Sequence, residues 1–363
     1  MNKMDFRDSF NYLEKKDYFN FSKKQLRLFS NVLRQTLKPI SEKVIVVGDT
    51  GHENFGLSTK LSAKYFLACE NIGVDAKVYL QNPKERGQSA NPEIIQAMKN
   101  LPENNIIIAN LSNKFGSMKH LGNSFRSFCK EKNHRFISTT SLGFITNEME
   151  EFLYNTLDID YKKLAKKHLK LKEIFDEGDE VRITTEIGTD LRIGIKKKTA
   201  ISADGLYHEP GSGGNLPSGE VYIPPRKKQV WGNVVIDGSS RTIERTNLID
   251  KPFNMKINDG EITKIEGDSF GVHSLLDSLK WAWNNSKYGW GVKRIGELGI
   301  GLNPNAKLIG STIVDEKVLG TAHIAIGSNH WMGGTIYSII HLDQVFKKPV
   351  IEVDGNEINI DKL

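Results

Sequence analysis

Four short apolar runs constrain this chain most, because each is followed by a segment that reads as a helix. They are VIVVGD (44–49), AKVYLQ (76–81), IIIANL (106–111) and FISTTS (136–141). The segments after them run from Ser58 to Asn71, through PEIIQAMKN, from His120 to Lys132, and onward from Asn147. Strands this apolar suit a sheet covered on both faces, and strands alternating with helices need parallel crossover connections. Residues 1–40 have apolar positions at helical spacing and stop at Pro39. Ligands of such sheets favour the carboxyl ends of the strands, which draws notice to the loop GDTGHENFG (48–56). It has neither the spacing of a dinucleotide fingerprint nor a P-loop lysine, so a structural turn is expected there.

From Val181 onward the texture changes. VRITTEIGTDLRIGIKKK alternates about Gly188-Thr189-Asp190 like a hairpin, and VYIPP, WGNVVIDG, FNMKINDGEITKIEG, HIAIG and VIEVDG follow as short strands between Gly, Pro and Asn. A helix around Val272 to Asn284, with room for another short one, is expected to interrupt them. The expected fold class is therefore α/β: an N-terminal parallel-sheet α/β domain over 1–178, then a mainly antiparallel β-rich (α+β) metal-binding domain over 179–363. The charged helix at 160–178 is the expected hinge, with Leu164, Leu169, Leu171 and Ile174 as its buried stripe and His168 exposed among lysines.

Composition narrows the class of protein. With 363 residues, 38% hydrophobic and 26% charged, the chain suits two ordinary soluble domains. No apolar run approaches the roughly 20 residues of a membrane span, and the charged start MNKMDFRDSF does not read as a secretory signal, so a cytoplasmic location and no membrane partner are expected. The only cysteines, Cys69 and Cys129, lie far apart in helix-like segments, which excludes a disulfide framework. The net charge of +6 is concentrated in runs such as 162–172 and 196–198. They lack interleaved aromatics, so they read as solvated faces and no nucleic-acid partner is expected.

The chemistry concentrates between Arg294 and Asp343, where Glu297, Asp315, Glu316, His323, His330, His341 and Asp343 are separated by apolar runs and glycines. In His341-Leu342-Asp343 a strand places both polar side chains on one face. The surrounding YSIIHLDQVF is apolar, as is GELGIG around Glu297. A buried carboxylate without a partner costs several kcal/mol, so these groups require a cation or hydrogen-bond donors. His323 in TAHIAIG follows the same logic, and Glu220 in NLPSGEVYIPP enters a strand held by prolines on both sides. Carboxylates and imidazoles converging in this way suit divalent metal ions.

Taken in order, NLPSGEVYIPP, IGELGIGLNPNA, DEKVLGTAHIAIG, SIIHLD and PVIEVDG resemble the aminopeptidase T family of dinuclear metallopeptidases, most closely its shorter, leucyl aminopeptidase-like members. The resemblance covers the C-terminal half. It implies a metal-dependent aminopeptidase and a homodimer, with a peptide or small molecule as substrate. The implied ligands of two divalent ions (Zn, Co or Mn) are Glu220, Glu297, Glu316, His323, His341 and Asp343. A metal-activated water would attack the peptide, Glu297 or Glu316 would accept its proton, and His330 stands where the family carries a tyrosine that stabilises the oxyanion. The same fold group includes dioxygenases that cleave dihydroxypyridine rings with one non-haem Fe(II) held by two histidines and a carboxylate. His341 and Asp343 with His323 or His330 match that alternative. The carboxylates separate the two: Glu220 and Glu297 as direct ligands favour two ions.

Overall fold

Val44–Asp49, Ile106–Asn110 and Arg135–Thr139 are buried at every position, as strands covered on both faces must be. In the computed structural model, which describes residues 4–85, 87–118, 121, 122, 124–287 and 289–363, they form a parallel sheet. Its order is Ala76–Gln81, Val44–Asp49, Ile106–Asn110, Arg135–Thr139 and Gly213–Asn215. Helices Leu57–Asn71, Pro92–Asn100 and Phe125–Glu131 lie between successive strands. Val47, Ile94, Met98, Ile107, Phe128 and Phe136 share one apolar cluster. Of the helix expected from His120, residues 125–131 are helical, whereas Lys119, His120 and Asn123 lie outside the described residues.

The N-terminal helical stretch is two helices, Phe6–Lys15 and Lys23–Thr36. Each begins with a capping box, Asp5 with Asp8 and Ser22 with Gln25, which satisfies backbone donors that a helix start leaves unpaired. Asp17, at a φ of 57°, stands in the break. Cys69 and Cys129 are buried, unpaired thiols on helices, and burial pushes the Cys69 thiol up to about 12.

The rest of the chain builds two seven-stranded sheets in which every pairing is antiparallel. One contains the expected hairpin, Glu180–Thr184 with Asp190–Gly194, turned at Gly188 with a φ of 108°. The other runs Thr246–Leu248, Ser239–Arg241, His341–Lys347, Thr321–Gly327, Ile295–Gly301, Glu220–Ile223 and Ile201–Ala203. Helix Phe270–Asn285 starts at a Ser269 cap and covers the expected 272–284. Among the described residues, no helix is long and apolar enough to cross a membrane.

Two features depart from the sequence reading. The chain divides into units of 1–162 with 205–217 and of 163–204 with 218–363, not at 178/179. Residues 205–217 return to the first unit because Gly213–Asn215 extends the parallel sheet beside Arg135–Thr139. In helix Tyr161–Glu177 the inward face is Tyr161, Leu164, His168, Leu171 and Phe175, at alternating spacings of three and four. His168 is therefore fully buried, with Nδ1 3.0 Å from Ser202 Oγ, while Leu169 points outward and is 55% exposed.

Candidate metal centre

One face of the second seven-stranded sheet gathers the functional side chains by register. Asp343, Ala325 and Glu297 lie opposite one another on three adjacent strands, as do Gly327 and His341. His323 faces Gly299 on one side and Val345 on the other, and Glu220 faces Gly301. Opposed residues project to the same face. The large ligand-type side chains thus alternate with Gly and Ala, which leaves them room to lean together. A Cβ at Gly299 would overlap the His323 imidazole.

The resulting cluster is buried and densely charged. His323 Nε2 lies 3.2 Å from Glu297 Oε1 and 3.5 Å from Glu220 Oε2. His341 Nε2 lies 3.4 Å from Glu297 Oε2 and 3.2 Å from Asp343 Oδ1. His341 Nδ1 donates to the Ser328 carbonyl at 2.8 Å, which turns Nε2 toward the carboxylates as a metal ligand requires. Glu297, His323 and Asp343 offer donor atoms within 4.8 Å of one another, and so do Glu220, Glu316 and His323. Glu220 Oε2 and Asp343 Oδ1 are buried and meet no donor other than the imidazoles. Unsaturated buried carboxylate oxygens beside imidazole nitrogens fit a divalent ion of borderline hardness.

Lys317 is the residue that sequence reasoning missed. Its side chain is fully buried, and the ammonium bonds Glu220 at 2.5 Å and also bonds Glu316. In DEKVLG the lysine reads as an ordinary surface charge, and no local pattern marks it as interior. Arg241, on the neighbouring strand, directs its charge at Asp343 and Glu316.

The protonation balance follows from this crowding. Burial raises Glu316 to about 8, and the charges of Glu220 and Asp343 add to the rise. Burial also raises Glu220. For Glu297 burial acts upward too, but hydrogen bonds with His323 and His341 outweigh it and bring the group down to about 2. The imidazoles show the converse. Burial works against their charge, yet Glu297 and Glu220 lift His323 to about 9, and Asp343 and Glu297 lift His341 well above its ordinary value. Without a metal ion, the surplus of carboxylates recruits protons onto the two histidines.

His330 stands apart. No hydrogen bond or ion pair among the described residues joins it to the six acids and histidines above. It is exposed, takes a 2.8 Å hydrogen bond with Ser328 Oγ, and stacks on Tyr337 at 4.8 Å. Asp315 is interior, but it accepts the Ile309 and Gly310 amides at 2.8 and 3.1 Å and so shapes a turn.

The family model described as NicX, 2,5-dihydroxypyridine 5,6-dioxygenase, matches residues 24–361. The chain belongs to this family. Among solved structures, 2,5-dihydroxypyridine dioxygenase from Pseudomonas putida KT2440 superposes with a TM-score of 0.71 at 16% identity, covering 93% of this chain and 96% of that one. Wild-type AmpT from Thermus thermophilus gives a TM-score of 0.61 at 14% identity, covering 93% and 97%. No curated protein matches the sequence. At these identities the two structures establish a common fold. The aminopeptidase T resemblance therefore holds at the level of the fold group, and the family is the dioxygenase's.

Proposed function

We propose that this NicX-family chain is a non-haem iron(II) dioxygenase that opens a dihydroxypyridine-type ring, with one metal ion rather than two. The observation that carries the reading is the Lys317 ammonium on Glu220 and Glu316. In a dinuclear hydrolase those carboxylates would serve a second cation, and here a fixed cation already pairs with one oxygen of each.

His323, His341 and Asp343 supply the two imidazoles and one carboxylate that suit non-haem iron(II) with positions left open. When bound, iron(II) supplies the redox chemistry that lets dioxygen react with an aromatic ring. The chain's own residues do the rest. The Ser328 carbonyl keeps His341 oriented. Glu297, ionised and 3.2 and 3.4 Å from the Nε2 atoms of the two imidazoles, supplies negative charge that balances a bound cation. Lys317 pairs with Glu220 and Glu316, and the charge of Arg241 bears on Asp343 and Glu316, which offsets part of the crowding of carboxylates.

Metal analysis of protein purified without chelator, combined with an oxygen electrode, tests this reading. The expected result is about one iron per chain, oxygen uptake on pyridine-2,5-diol, and both atoms of ¹⁸O₂ in the ring-opened product. About two zinc, cobalt or manganese ions per chain, with release of N-terminal residues from peptides and no oxygen uptake, would overturn it.

A further inference from the structure

His341 is the most accessible group of the centre: its side chain is 23% exposed, whereas those of Glu297, Asp343 and His323 are 6%, 7% and 0% exposed. Solvent and substrate therefore approach along His341. The ring of Trp331 stands at that point, 4.7 Å from the His341 ring at an interplanar angle of 65°. Trp331 is 52% exposed and so presents a large apolar surface beside a buried centre.

The turn carrying Trp331 is firmly held. Asn329, buried, donates from its side-chain amide to the Gly296 carbonyl at 2.8 Å, and its side-chain oxygen accepts the Ile336 amide at 2.8 Å. His330 braces the indole edge-on at 5.6 Å while stacked on Tyr337 behind it. Ser328 of the same loop holds His341 through its carbonyl and His330 through its hydroxyl. One loop thus fixes an aromatic surface and a ligand histidine relative to each other. A surface held in place before binding loses little entropy when a ring settles on it.

We propose that Trp331 is the platform on which a planar aromatic substrate stacks as it enters the centre, with His330 as the brace of that platform. The identity of the ligand rests on the ring-cleaving reading above; the platform itself rests on the geometry of Trp331 and His341. Offset or edge contacts between aromatic rings favour a planar ring over a saturated ring of the same outline, and this makes Trp331 a specificity residue.

Anaerobic binding of pyridine-2,5-diol and of cyclohexane-1,4-diol to metal-analysed wild type, Trp331→Phe and Trp331→Leu, read by isothermal titration, tests the proposal. The expected result is a rise in Kd for the aromatic diol of about tenfold in Trp331→Leu and a much smaller rise in Trp331→Phe. Metal content should be unchanged, and binding of the saturated diol should be equally weak in all three proteins. Wild-type affinity in Trp331→Leu would overturn the proposal. So would loss of metal in that variant, which would make Trp331 packing for His341, or a changed oligomeric state with unaltered diol affinity, which would make it an interface residue. Binding that depends on Trp331 without oxygen uptake would uphold the platform and sink the dioxygenase reading instead.

Discussion

Gly299 shows how closely the centre depends on single atoms. It sits opposite His323 in the strand pairing, and an added methyl would occupy the space of a fully buried imidazole. Its φ lies outside the left-handed region, so alanine fits the backbone and the conflict is purely steric. Gly299→Ala is expected to lower stability by about 1–3 kcal/mol, the usual cost of overpacking, and to reduce bound metal. Adding His323→Ala in the same chain should restore stability without restoring metal, a non-additivity that urea titrations and metal analysis would detect. Additive losses would show that Gly299 does not serve the imidazole. At this scale, His341 and Asp343 were legible because a strand repeats every two residues, and Glu297 because apolar neighbours left it no surface. Lys317 was not, since its burial is created by Glu220, which is 97 residues away in the chain. His330 misled for the opposite reason: a histidine near ligands in sequence is carried outward by the turn His330–Met332.

At the scale of elements, helix Tyr161–Glu177 tests how far periodicity can be trusted. Two leucines two residues apart cannot share a helix face, and Leu171 is buried while Leu169 is 55% exposed. Leu171→Ala should destabilise by about 2–5 kcal/mol, whereas Leu169→Ala should stay within about 0.5 kcal/mol of wild type. Equal effects in chemical unfolding would contradict this helix phase. The sequence reading placed the helix correctly but set its inward stripe on aliphatics alone. It therefore left out Tyr161, His168 and Phe175, whose polar atoms or distance from the lysine run disguised the alternation of three and four. His168 tolerates the interior because Ser202 Oγ meets its Nδ1 at 3.0 Å. The strands were easier, because runs such as VIVVGD have no polar face to misassign.

For the whole molecule, the alternating strands and helices and the later β texture announced both architectures, but not the return of residues 205–217 to the parallel sheet. That pairing joins segments some 77 residues apart, through a strand only three residues long, Gly213–Asn215. Nothing in its composition names its partner. The division also predicts how acid should act on the chain. His134, in the first unit, is fully buried, and its Nδ1 accepts the Asn105 amide at 3.2 Å. Burial pushes its pKa from 6.5 down to about 4. Between those values the unfolded chain binds a proton that the folded unit refuses. The contribution of His134 to the stability of the first unit should therefore be fully present above pH 6.5, fall as the pH drops through that window, and level off below about 4. The slope contributed by this residue reaches at most about 1.4 kcal/mol per pH unit. All five tryptophans, Trp231, Trp281, Trp283, Trp290 and Trp331, belong to the second unit, so their fluorescence follows that unit, while far-UV circular dichroism also follows the helices of the first. Urea transitions at pH 7, 6 and 5 should show His134→Gln losing less stability than wild type as the pH falls. The difference should appear in the dichroism and be absent from the fluorescence if the units unfold separately, or appear in both if they unfold together. Parallel pH profiles for the variant and wild type in both signals would mean that His134 takes up its proton as readily folded as unfolded.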